Sequence, residues 1–325
     1  MGFLDLAIQN LISPMVLFFA LGAAAAFARS DLSVPEAVTR FLSMYLLMAI
    51  GFKGGVEVAH SGLTMQVVSA LGVGVLLSAS MPVVAYVMLR ASTSLSKVDA
   101  ASVAGHYGSI SAVTFAAVTG VLNHMSISYE GYMPAVAAAM ETPAIFTALA
   151  IARGAGAAKN GDHGAGLLRE VALNGSIIML IGSFLIGAMT GARGFTMLKP
   201  FLVEPYAGFL CLFLLDMGLI AGRGLTTGWR ALSAPVILFG LFMPLMGALM
   251  AGALATFLDL SVGGAAVLIT LAASASYIAA PAAMRIALPE ANPAIALTLS
   301  LGVTFPFNLT LGIPLYITAA SIISG

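Results

Sequence analysis

The sequence predicts an all-α integral membrane protein: ten transmembrane helices in a 5+5 inverted-topology repeat, with the fourth and ninth helices broken. Three observations carry this reading. Only 8% of the 325 residues are charged and 60% are hydrophobic, against the ~25% charged residues of ordinary soluble domains. Ten apolar stretches are long enough to cross a bilayer, which takes ~20 residues each. The second half also echoes the first at a fixed offset, as inverted-repeat transporters do.

Charge and composition exclude other classes. A mean hydropathy of +1.06 leaves lipid as the solvent for most of the surface. The formal net charge is zero, with no basic block that would indicate nucleic acid. The lone cysteine, Cys211, excludes an intramolecular disulfide and reads as a small residue of an apolar run. The only charged side chain before the first hydrophobic run, Leu11 to Ala28, is Asp5. A secretory signal would begin basic, so the run is read as a retained helix.

The ten predicted segments are 9–28, 37–58, 65–89, 98–121, 131–152, 169–191, 202–222, 231–257, 261–287 and 292–322. Turn-forming clusters separate them, such as Ser30-Asp31, Ser92-Thr93-Ser94, Asn123-His124 and Leu288-Pro289-Glu290. Residues 1–153 form the first repeat, 154–168 a Gly- and Ala-rich cytoplasmic link, and 169–325 the second, inverted repeat. With the N-terminus outside, the inner loops hold Arg29, Arg40, Arg90, Lys97, Arg153, Lys159, Arg169, Arg223, Arg230 and Arg285. The outer side then holds only Lys53, Arg193 and Lys199, and ten against three supports an N-out, C-out orientation.

The repeat is legible at an offset of 167: the run Ile50 to Gly55 resembles Met217 to Gly222, and His106 to Ser109 falls on Ala273 to Ser276. Pro143 falls on Pro306 after a loss of four loop residues. An odd number of helices per half turns the second half upside down. Chance likeness between Gly- and Ala-rich helices is the competing explanation. The matching order of all five helices counts against it.

Two spans carry small and hydroxyl residues at mid-membrane: Gly105 to Ser111 in the fourth and Ala273 to Tyr277 in the ninth, the latter followed by Pro281. Gly and Pro weaken helices. A break would aim the N-terminus of each following half-helix at a solute, and free N–H groups favour an anion there. Ordinary close packing through small residues competes with this reading for either span alone. Their repeat-matched positions favour a site. The predicted anion-binding residues are Gly108, Ser109, Ser111, Ser274, Ala275 and Ser276.

Glu141, Asp216 and Asn308 also lie within spans. A carboxylate at a helix centre costs ~3 kcal/mol on insertion scales, so it marks either function or a buried partner. Oxygen ligands beside a proline-distorted helix suit sodium, whereas pairing of Asp216 with Lys53 would be purely structural. His106 reads either as a proton carrier or as a hydrogen-bonded core histidine. Lys53 and Glu57 read as side chains reaching the interface.

The runs Ser276 to Arg285, Glu290 to Pro293, Leu301 to Asn308 and Gly312 to Leu315 resemble the signature of the SbtA family of sodium-dependent bicarbonate transporters. His106 to Phe115 and Met140 to Pro143 resemble it too. The resemblance implies a core domain from helices 3–5 and 8–10, a gate domain from helices 1–2 and 6–7, and a homotrimer. It implies bicarbonate held between the fourth and ninth helices, with sodium at Glu141, Thr304, Phe305 and Asn308; the intramembrane Asp216 is counted with them as a sodium candidate. No cofactor is expected beyond sodium as the coupling ion. Cyanobacterial members have a longer link, and some bind a PII-like regulatory protein. The short link here argues against that partner. The expected function is sodium:bicarbonate symport by alternating access; the alternatives are another small carboxylate or oxyanion, or a passive anion channel. An enzyme using Asp216 and Glu141 is disfavoured, since no protease or metal-ligand pattern accompanies them. No ATP-binding loop is present.

Overall fold

The computed structural model describes residues 3–62, 64–154, 175–228, 232–277, 280–281, 284 and 288–324. Among them every regular element is a helix. The helices are α1 Phe3–Leu11, α2 Pro14–Phe27, α3 Glu36–Ser61, α4 Met65–Ser92, α5 Lys97–Gly108 and α6 Ala112–His124. There follow α7 Met133–Ala139, α8 Thr142–Gly154, α9 Gly175–Leu202, α10 Tyr206–Gly228, α11 Ala234–Ala255 and α12 Val262–Ala272. The last, α13, runs over Pro293–Ile323. The predicted link 154–168 lies outside the described residues save for its first, as do Arg230 and Arg285.

Seven helical stretches among the described residues are long and apolar enough to cross a membrane, including Glu36–Ala59, Met65–Ser92, Ala234–Ala255 and Pro293–Ile323. The other three predicted spans are interrupted. The first divides at Ser13, whose hydroxyl accepts from the Val16 N–H while Pro14 opens α2, a strong N-terminal signal. The sixth predicted span was to end at 191. Instead α9 continues through a kink at Gly191, whose φ of 55° and ψ of −144° exclude most side chains.

The helix pairs α3–α9 and α2–α10 have backbones in near contact. In the α3–α9 pair, Gly51 faces Leu180 O, Gly55 faces Phe184 O and Gly187 faces Phe52 O. In the α2–α10 pair, Gly22 faces Leu215 O and Gly218 faces Phe19 O. Any side chain at these positions would meet main-chain carbonyls, so the glycines set the approach. A second group packs α4 on α5 and α8, and α11 and α13 on α12.

Helix α13 contains two π turns, Ser300–Thr304 and Asn308–Gly312, flanking Phe305–Phe307. Each turn adds a residue to the helical repeat and frees carbonyls, a feature common at functional sites. The Asn10 side-chain amide, reaching in from α1, donates to two of them, Leu309 O at 2.7 Å and Thr310 O at 3.1 Å.

Candidate functional site

The site lies where two irregular segments cross. Helix α5 ends at Gly108, Ser109 is extended, and α6 begins only after Ser111. Gly108 has no room for a side chain, because Pro82 of α4 and Ala144 of α8 occupy that space. On the other side α12 ends at Ala272, residues 274–277 are non-helical, and Ala280 and Pro281 are helical.

Each segment satisfies polar groups that the other's interruption exposes. With α5 stopped, the His106 carbonyl has no partner four residues on; the Ser276 N–H donates to it at 2.7 Å. The Ser111 N–H donates to Ser274 Oγ at 2.9 Å, and that hydroxyl donates to Leu271 O at 2.7 Å. Ser111 Oγ caps its own helix by accepting from Thr114 N–H at 3.1 Å. Irregular backbone at membrane depth survives only with such partners.

The four serines therefore differ. Ser274 has spent both donor and acceptor on protein. Ser276 Oγ accepts from Ala280 N–H at 3.2 Å and donates to no described residue. Ser109 is 1% exposed and its hydroxyl has no partner among the described residues. An unpaired buried hydroxyl costs about 1–3 kcal/mol, and few native groups are left so. Gly108 and Ala275 are buried in the same segments and contribute backbone.

The predicted cation residues fall into three places. Thr304 Oγ1 donates to Gly240 O at 2.7 Å and meets the Tyr107 hydroxyl at 2.5 Å, so the tyrosine donates in that pair. Asn308 donates to Ala273 O at 2.8 Å and accepts from the Tyr316 hydroxyl at 2.7 Å. The Phe305 ring sits edge-on to Tyr277, centroids 5.6 Å apart. This group adjoins the crossing. Glu141 is buried in a further interruption, between α7 and α8, and no described residue hydrogen-bonds its carboxyl. Asp216 on α10 accepts from Thr39 of α3 at 2.5 Å, and Arg223 acts on it electrostatically. Lys53 is bonded elsewhere, to Asn123. Among the described residues no hydrogen bond joins Asp216 or Glu141 to Thr304 or Asn308.

Three residues of this region were not singled out from the sequence. Ser78 of α4 donates to Met140 O and accepts from Ala144 N–H at 3.1 Å, bridging the α7–α8 interruption. A single serine in an apolar helix gave no signal of that role. Tyr107 and Tyr277 carry no signal of their own in sequence: Tyr107 packs on Phe239 of α11 and bonds Thr304 of α13, and Tyr277 packs on Phe305 of α13.

A cavity of about 890 Å³ lies between α3 and α10 on one side and α13 on the other, reaching Tyr277 at the crossing; Glu36, Thr39 and Arg40 line its far end. At the Lys53 end of α3 the corresponding void is about 50 Å³.

Helices long and apolar enough to span a bilayer surround two interrupted segments and a buried hydroxyl that no described residue binds, an architecture that suits an integral membrane transporter. The chain belongs to the Na+-dependent bicarbonate transporter superfamily, whose family model matches residues 14–321. That span contains every residue of the crossing. No curated protein matches the chain.

Proposed function

We propose that the protein is a sodium:bicarbonate symporter working by alternating access, with the anion held at the crossing of the fourth and ninth spans. The observation that carries this reading is Ser109: a buried hydroxyl without a partner among the described residues, in the segment between the half-helices α5 and α6. Bicarbonate is small and singly charged, and its oxygens accept hydrogen bonds. Ser109, Ser276 and free N–H groups at the start of α6 would supply donors without a full positive charge. Full charges would cost more to bury and would slow release.

Membership of a sodium-dependent family supports sodium as the coupling ion, with Thr304, Phe305, Asn308 and Glu141 as its candidate ligands. The reciprocal glycine contacts support an inverted 5+5 repeat, since helix one on seven and helix two on six are exchanged by such symmetry. Gly55, set against Phe184 O and Ala188 N, is matched by Gly218, set against Phe19 O and Ala23 N. In this reading α2, α3, α9 and α10 form the gate and the remaining spans the core, in a homotrimer of a bacterial inner membrane, N-out and C-out. Unequal cavities at the two ends of α3 suit one face open and the other shut.

The test is uptake of labelled bicarbonate into proteoliposomes with and without an inward sodium gradient. Sodium-driven accumulation is the expected result. Equal, non-concentrative flux in both conditions would make the protein a passive anion channel, and formate, nitrate or acetate outcompeting bicarbonate would reassign the substrate.

A further inference from the structure

The face of the protein that carries Lys53 is shut by a small set of side chains. Lys53 on α3 donates to Asn123 Oδ1 on α6 at 3.4 Å, and its ammonium stands 5.9 Å from the centroid of the Tyr129 ring. Beside them Tyr206, at the start of α10, donates to Ala116 O of α6 at 3.5 Å. Only about 50 Å³ remains between these elements, lined by Ala49, Ile50 and Thr119 among others. Arg40 lies thirteen positions earlier on the same helix, about 20 Å away at helical rise, and there α3 borders the 890 Å³ cavity.

We propose that Lys53 is a latch that holds the outer face closed while the opposite face is open. The inference rests on the reading of α3 and α10 as gate and of α6 and Tyr129 as core. Lys53 is a gate residue whose partners, Asn123 and Tyr129, are both in the core, so movement of one against the other must break these contacts. Their strength suits a part that opens every cycle. One exposed amide hydrogen bond and one cation–π contact are together a modest restraint, far weaker than a buried ion pair whose partners cannot be parted without cost. Once released, the ammonium would face the outer opening, where a positive charge raises the local concentration of an arriving anion.

The test uses detergent-purified full-length protein in which Cys211 is replaced by Ala, carrying one reporter at a time. Ala49→Cys reports the closed seam and Ser43→Cys the large cavity; each is labelled with a polar maleimide. Lys53→Met is expected to speed labelling of the seam reporter about tenfold and to slow the cavity reporter. Asn123→Ala should act in the same direction, and Lys53→Arg should stay near the parent. Unchanged rates in both Lys53→Met and Asn123→Ala would overturn the latch. So would a rise at both reporters together, which would mean general loosening. Labelling needs neither bicarbonate nor sodium, so a failure here is separate from a failure of the symport reading.

Discussion

Ser109 lies two residues from Ser111, the partner of Ser274, yet the stability of the protein should respond oppositely to loss of the one hydroxyl or the other. Replacing Ser109 by Ala removes a buried hydroxyl that no described residue binds. No internal hydrogen bond is lost, and a polar atom leaves an apolar site, so the substrate-free protein should be as stable as the parent or more stable by up to about 1 kcal/mol. Its apparent bicarbonate constant should nonetheless rise roughly ten- to a hundredfold, the worth of one hydrogen bond to a charged group at ~1.5–3 kcal/mol. Replacing Ser274 by Ala deletes the acceptor of the Ser111 N–H at 2.9 Å and leaves that donor buried. This should cost about 1–3 kcal/mol of stability, seen as a melting point several degrees lower. Thermal unfolding in detergent without substrate, paired with concentration-dependent uptake in proteoliposomes, reads both quantities. Normal uptake constants in Ser109→Ala would show that the anion is held elsewhere, whatever the melting curves say.

Further outcomes follow from the same geometry. Glu141→Gln should weaken sodium activation of uptake while leaving the melting point near the parent, because the described residues make no hydrogen bond to that carboxyl; unaltered sodium dependence would remove Glu141 from the ion site. It is a cleaner probe than Asn308→Ala, which strands both Ala273 O and the Tyr316 hydroxyl. Ser78→Ala should lower stability by about 1–3 kcal/mol by unbridging Met140 and Ala144, with little change in sodium dependence; an unmoved melting point would refute the bridging role. A reporter enzyme fused within 154–168 should score as cytoplasmic, and a periplasmic score would sink the ten-span orientation.

What the sequence made legible is what the bilayer forces into composition. Small and hydroxyl residues at 105–111 and 273–277 stand out because they recur at matched positions in two alanine-rich spans, and the chain leaves helical form at 109–111 and 274–277. Less legible is anything decided by a distant partner. Ser109, Ser111, Ser274 and Ser276 looked alike as sequence, and only the crossing shows that Ser274 is consumed by Ser111 and Leu271. The interruption at Met140-Glu141 was read as the middle of one span, for its support comes from Ser78, sixty-two positions earlier. The π turns of α13 were reduced to a proline distortion. Asp216 was grouped with the cation residues by its cost in a membrane alone, and its partners Thr39 and Arg223 belong to the α3–α10 side of the protein.

Asn308 and Thr304 are joined to the predicted anion residues by very short paths, and those paths bear on coupling. Asn308 holds the Ala273 carbonyl, and the next residue, Ser274, holds the Ser111 N–H. Thr304 holds the Tyr107 hydroxyl, two residues before Ser109. An ion that drew on an oxygen of Asn308 or Thr304 would have to redistribute these bonds, and the change would reach 273–276 and 106–109 within one or two residues. The first half offers a parallel route. Glu141 is three residues from Ala144, whose methyl group packs where a Gly108 side chain would be, next to Ser109. Coupling in packed interiors runs through contacts that have discrete alternatives. Both routes end on the backbone that flanks the unpartnered hydroxyl, so cation and anion would act on one hinge and no long relay between their sites is needed.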